Sequence, residues 1–206
     1  MKFFLLPAFA LMLHFAASGQ NKETTSEGWI KLFDGQTFTG WRASEHPATF
    51  TIADGMIVVF GERAHLFYQG PVANHNFKNF EFKAQVMTTP GSNSGMFIHT
   101  AYQEEGWPSK GYEVQVNNTH TDWRKTGSVY GVADVKEAPA KDNEWFTEQI
   151  NVQGKKITVM INGKVINEYT VPQEGGRLSS GTFALQGHDP KSKVYYKDVM
   201  VKLLPD

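Results

Sequence analysis

The stretch KKITVMINGKVINEY, Lys155 to Tyr169, decides the fold. Ile157, Val159 and Ile161 alternate with Thr158 and Met160, the period of a strand with one buried face. Asn162-Gly163 then interrupts the run before Lys164 to Tyr169. A two-residue type I′ turn needs positive φ at both central positions, and Asn-Gly supplies it at least cost. The stretch predicts an antiparallel hairpin.

The same grammar extends outward. Phe80, Phe82, Ala84 and Val86 alternate with Glu81, Lys83 and Gln85, while Asp54-Gly55 separates Phe50–Ile52 from Met56–Phe60 and Gln153-Gly154 precedes Lys155. From Trp29 onward no helix-length stretch keeps a three-to-four residue apolar period. Roughly ten to thirteen short strands predict an all-β sandwich or jelly roll of two antiparallel sheets.

A chain of 206 residues suits one large β domain, placed at residues 28–206. Its formal net charge of −1 lacks the basic face of a nucleic-acid binder, so no nucleic-acid partner is expected, and no protein partner is indicated. Residues 1–20, MKFFLLPAFALMLHFAASGQ, combine a Lys, an apolar run and small residues, the pattern of a Sec signal peptide. That run is shorter than the ~20 residues that span a bilayer. There is no Cys, which removes both disulfides and the lipidation site of a bacterial lipoprotein. A periplasmic or secreted protein, not embedded in a membrane, is expected.

GYEVQVNN, Gly111 to Asn118, carries the chemistry. Tyr112, Val114 and Val116 form the oily face of a strand, which puts Glu113, Gln115 and Asn117 together on the other. Asn93 leads into the strand that ends at His99, and Gln186 and His188 alternate with Phe183, Leu185 and Gly187. Amides, one carboxylate, imidazoles and aromatic rings suit a sugar, whose hydroxyls want paired donors and acceptors and whose C–H faces want flat apolar surface. Long loops at Thr100–Lys110 and Asn118–Thr126 each carry a Trp, Trp107 and Trp123. A retaining glycosidase wants two carboxylates about 5 to 5.5 Å apart, and amides follow Glu113 on its strand. No phosphate-binding or dinucleotide fingerprint appears, so no nucleotide cofactor is expected.

Taken in order, WIKLFDGQTFTGW (29–41), FTIADGMIVV (50–59), NFKNFEFKAQ (76–85), NSGMFIH (93–99), GYEVQV, TGSVYGV (126–132), EWFTEQINVQGKKITVMING (144–163) and GTFALQGH (181–188) resemble the 3-keto-disaccharide hydrolase domain family, long called domain of unknown function 1080. The resemblance implies a concanavalin A-like lectin/glucanase sandwich that is exported by bacteria and acts on glycosides oxidised at C3. A 3-keto group acidifies the C2 hydrogen, so one base can remove it, the C1 substituent can leave, and water can add. Such a route needs a base and something to stabilise an enolate oxygen: a metal ion or a positioned donor.

Glu113 and His188 are the catalytic candidates. Asn93, His99, Gln115 and Gln186 are expected to orient the sugar, with Tyr130, Trp107 and Trp145 as platforms. One divalent metal ion, with His188, Glu113 and His99 as its candidate ligands, is the cofactor expectation. Two positions depart from the family: His99 stands where Arg is common, and Asn117 where Asp is. The alternatives are a lectin-like module without catalysis and a conventional glycosidase pairing Glu113 with Glu62 or Asp122.

Overall fold

The computed structural model describes residues 24–174, 177 and 179–206. The signal peptide expected at residues 1–20 lies outside them. Among the described residues thirteen strands are present: β1 (Ile30–Lys31), β2 (Trp41–Ala43), β3 (Phe50–Ala53), β4 (Met56–Phe60), β5 (Ala64–Tyr68), β6 (Phe80–Thr88), β7 (Ser94–Thr100), β8 (Tyr112–Val116), β9 (Phe146–Gln153), β10 (Lys156–Ile161), β11 (Lys164–Thr170), β12 (Thr182–Gly187) and β13 (Lys193–Leu203). They form two antiparallel sheets. The larger runs β11-β10-β9-β6-β13-β4-β3 with β1 added against β13, and the smaller runs β2-β5-β12-β7-β8. The fold is an all-β jelly-roll sandwich.

Local chemistry explains the strand order. At the β10–β11 turn Asn162 and Gly163 have φ of 50° and 77°, and at the β3–β4 turn Asp54 and Gly55 have 51° and 76°, as type I′ turns require. The period-two faces meet between the sheets. Phe80, Phe82, Ala84 and Val86 of β6 are buried against Phe183 and Leu185 of β12. The Phe183 ring stacks on Phe82 with centroids 4.0 Å apart and on Phe77 at 4.2 Å. These rings lock the two sheets together, and each contributes apolar area far above that of a single aliphatic side chain.

With Tyr112, Val114 and Val116 buried between the sheets, the intervening residues of β8 turn to the other face of the small sheet. That outer face carries the site. Among the described residues no helix is long and apolar enough to cross a membrane.

Candidate functional site

Each strand of the small sheet sends alternate residues outward. Phe97 on β7 pairs with Glu113 on β8, and Gly95 pairs with Gln115. Ala184 on β12 pairs with Phe97 on one side and Phe67 of β5 on the other, while Gln186 pairs with His65. Two rows result. One is apolar and ends at Glu113; the other is polar and ends at Gln115. A cleft of about 330 Å³ opens over the β7–β8–β12 part of this face.

Glu113 lies on the cleft floor, and its position depends on a missing side chain. A Cβ on Gly95 would sit 2.6 Å from Glu113 Oε1 and 2.8 Å from its Cγ, so only glycine lets the carboxylate fold across β7. Gln186 Nε2 donates to Glu113 Oε1 at 2.8 Å. With its amide nitrogen turned inward, Gln115 donates to the same oxygen at 3.1 Å and to the Ser94 carbonyl at 3.0 Å. Burial raises the Glu113 carboxyl to about 7; the Gln186 hydrogen bond and Arg177 pull it down, and Asp122 pushes it further up. A carboxyl in that range both takes and returns a proton near neutral pH.

The rim is built by loops. His188 Nδ1 pairs with Asp189 Oδ2 at 2.8 Å, and Asp189 also accepts from Ser192 Oγ and the Lys191 N–H. Burial works to raise the Asp189 carboxyl, but these bonds hold it at about 2, so it is a fixed anion behind His188. The rings of Trp107 and His120 lie 5.3 and 5.4 Å from His188. Asn117 does not face the cleft. Its amide donates to the carbonyls of Asp122 and Arg124 and accepts the His120 N–H, which holds the loop that presents His120. Across the cleft, the Tyr130 hydroxyl donates to Asp122 at 3.2 Å and accepts from Arg124 at 3.4 Å. Arg177 reaches the same cleft and donates to the Gly111 carbonyl at 3.0 Å.

The structure brings Glu113, His188, Asn93, Gln115, Gln186, Tyr130 and Trp107 together around this one cleft. It does not bring His99 or Trp145. The β7–β12 register slips by one residue between Phe97↔Ala184 and Thr100↔Thr182, and His99 sits in that bulge at φ 49°. Its ring leaves the cleft, meets Phe80 of the facing sheet edge-on at 5.4 Å, and pairs through Nε2 with the Lys78 carbonyl at 2.9 Å. Trp145 precedes the inward Phe146 and therefore points out from the large sheet, where Lys197 Nζ lies 4.1 Å from its ring. The sequence reading passed over His120, Asp189 and Arg177. The adjacent His188-Asp189 pair was the one local signal.

The expected ligands His188, Glu113 and His99 do not form a metal cluster. Among the described residues the set whose donor atoms converge is His120, His188 and Asp189, within 4.8 Å of one another. Two imidazoles and a carboxylate suit a borderline divalent ion in kind. Their hydrogen bonds do not: His120 Nδ1 already accepts the Asp122 N–H at 3.1 Å, which leaves its proton on Nε2, and Asp189 is spent on His188 and Ser192. As arranged, the donor atoms of the cluster are committed to these hydrogen bonds and it does not fit a cation.

The conventional pair of carboxylates is absent as well. Among the described residues lining the cleft, Glu113 is the one acid. Glu62 is exposed outside it, and Asp122 is engaged by Tyr130 and Arg124.

The sequence model of the 3-keto-alpha-glucoside-1,2-lyase-like domain matches residues 28–202. The chain belongs to this family. Family likeness extends to a 3-keto-disaccharide hydrolase of Bacteroides thetaiotaomicron, 28% identical over 171 residues, with 70% of this chain and 59% of that relative covered. The chain therefore spans well under two thirds of that relative's length. In fold it is similar to a candidate glycosyl hydrolase of Parabacteroides distasonis, with TM-score 0.72, 24% identity and coverage of 87% of this chain and 95% of that one. A carbohydrate binding module, CBM66 of Bacillus subtilis, shares the sandwich at TM-score 0.60 and 10% identity, over 79% of this chain and 95% of the module.

Proposed function

We propose that this member of the 3-keto-alpha-glucoside-1,2-lyase-like family is an exported carbohydrate-active enzyme that cleaves 3-keto-glycosides by elimination and hydration. The observation that carries the reading is the one carboxyl that lines the cleft, held near neutral pKa, with Asp122 outside the lining and engaged by Tyr130 and Arg124. Double-carboxylate hydrolysis needs two such groups. Removing an acidified C2 proton needs one.

In this reading Glu113 takes the C2 proton, and the C–H electron pair moves to form an enolate across C2 and C3. The enolate then collapses to a C1–C2 double bond, the C1–O bond breaks, and the leaving oxygen takes a proton from His188, whose imidazolium Asp189 stabilises. Water adds at C1 and gives its proton to His188, while Glu113 returns a proton to C2, which restores both groups. Arg177 borders the cleft as a charge for the developing oxyanion, and Tyr130, its hydroxyl proton held by Asp122, lines the wall. Gln115, Gln186 and Asn93 bind hydroxyls, and Trp107 faces the C–H side of a ring.

Incubation with a glucoside and with its 3-keto derivative tests the proposal. Release from the oxidised sugar alone supports it. Binding of either without release makes the cleft a lectin site, and release from the unoxidised glucoside makes the protein a conventional glycosidase.

A further inference from the structure

Trp107 stands in an eleven-residue connection between β7 and β8 that contains no strand, yet its ring forms a wall of the cleft. A large side chain on such a segment samples many positions unless something outside the segment fixes it. Here the fixing group is an ion pair that does not touch the cleft. Arg63 donates to Glu45 through both arms of its fork, Nε to Oε1 at 3.0 Å and Nη2 to Oε2 at 2.9 Å. Glu45 Oε1 also accepts the Gly106 N–H at 3.2 Å, and the Glu45 N–H donates to the Glu104 carbonyl at 3.0 Å. The Arg63 guanidinium then lies 5.3 Å from the Trp107 ring centroid.

Arg42 pairs with Glu104 of the Trp107 segment at 3.1 Å, and further contacts complete the seat. Gln103 Nε2 donates to the Trp107 carbonyl at 2.9 Å, and the buried His65 ring supports the indole edge-on at 5.7 Å. The indole is 46% exposed, and its free surface borders His188. Glu45 follows β2 and Arg63 precedes β5, so the pair ties the Trp107 segment to the far edge of the small sheet. The segment thereby crosses over the β5 side of the face and leaves the cleft open only over β7, β8 and β12.

We propose that Glu45 and Arg63 are positioning residues that latch Trp107 as a fixed sugar-binding wall of the cleft, an inference that rests on the carbohydrate reading above. The pair contributes to substrate affinity through Trp107 and leaves the proton transfers to Glu113 and His188.

The test compares Arg63→Gln with the wild-type chain by two readouts. One is acrylamide quenching of Trp107, taken as the difference from Trp107→Phe in each background; the other is KM and kcat on a 3-keto-glucoside. The latch predicts stronger quenching of Trp107 and a KM raised about tenfold with kcat within about twofold, since a wall displaced by an ångström loses its ring contact. Arg63→Lys, which keeps the charge without the fork, restores KM only in part. Should Arg63→Gln fail to fold, Glu45→Gln removes the charge while keeping an acceptor for Gly106, and the same pattern is expected. Unchanged quenching, or a fall in kcat at unchanged KM, overturns the latch. If wild-type protein cleaves no 3-keto-glycoside, the quenching alone still decides: a rise upholds the latch while the functional reading falls, and no rise overturns it.

Discussion

Glu113 owes its chemistry to three neighbours that carry no charge. Gly95 vacates the space it folds into, and Gln115 and Gln186 both donate to Oε1. Replacing it with Gln leaves the size and most of the packing unchanged, so the variant is expected to fold and to lose ~10² or more in kcat. Thermal melting and steady-state kinetics on a 3-keto-glucoside check both halves. Because burial raises this carboxyl to about 7 and the reaction needs it as carboxylate, kcat/KM should climb as pH rises through about 7. A climb near 4.5, the ordinary value, would assign the base elsewhere. Chelation checks the rim: with His120 Nδ1 occupied by the Asp122 N–H, activity is expected to survive exhaustive EDTA treatment. Loss that Mn²⁺ reverses would show that the rim rearranges around a cation.

At the scale of elements, the β10–β11 hairpin gives a clean trial of turn chemistry. A Cβ on Gly163 meets nothing within 4 Å, so Gly163→Val costs backbone strain alone, φ being 77°. We expect a loss of roughly 1 to 3 kcal/mol in chemical denaturation with turnover per folded molecule unchanged. This hairpin and the face of β8 were legible in the sequence because both signals are local: a turn dipeptide and a period of two. His99 was not legible. It continues the outward alternation of Gly95 and Phe97 on paper, but the bulge that turns it inward arises from pairing with β12, about eighty residues away in sequence. Trp145 misled for a related reason, since alternation says that it opposes Phe146 without saying which sheet Phe146 joins. His120, Asp189 and Arg177 lie on loops, where position follows from long-range hydrogen bonds and not from any period.

Over the whole molecule, the sandwich core holds a carboxyl that the site does not use. Glu148 of β9 is fully buried between the sheets, and its oxygens accept no hydrogen bond from the described residues. Burial raises its carboxyl well above 4.5, so the folded chain keeps a proton there that the unfolded chain releases. Its contribution to stability is thus intact below pH 4.5 and declines as pH rises toward the folded value, at roughly 1 kcal/mol per pH unit. Glu148→Met, similar in length and without polar atoms, should melt above wild type by a margin that widens from pH 5 to pH 8. A constant margin would place a partner on Glu148. The two carboxyls divide the molecule's chemistry: one is sealed in the core, the other is open to the cleft. That the open one breaks a glycosidic bond by removing the C2 proton is tested most directly with a 3-keto-glucoside deuterated at C2, turned over in ordinary water and sampled early beside an enzyme-free blank. The account predicts release slowed severalfold against the undeuterated sugar in kcat/KM, whether or not Glu113 exchanges with solvent before it returns the proton; equal rates for the two sugars would contradict it.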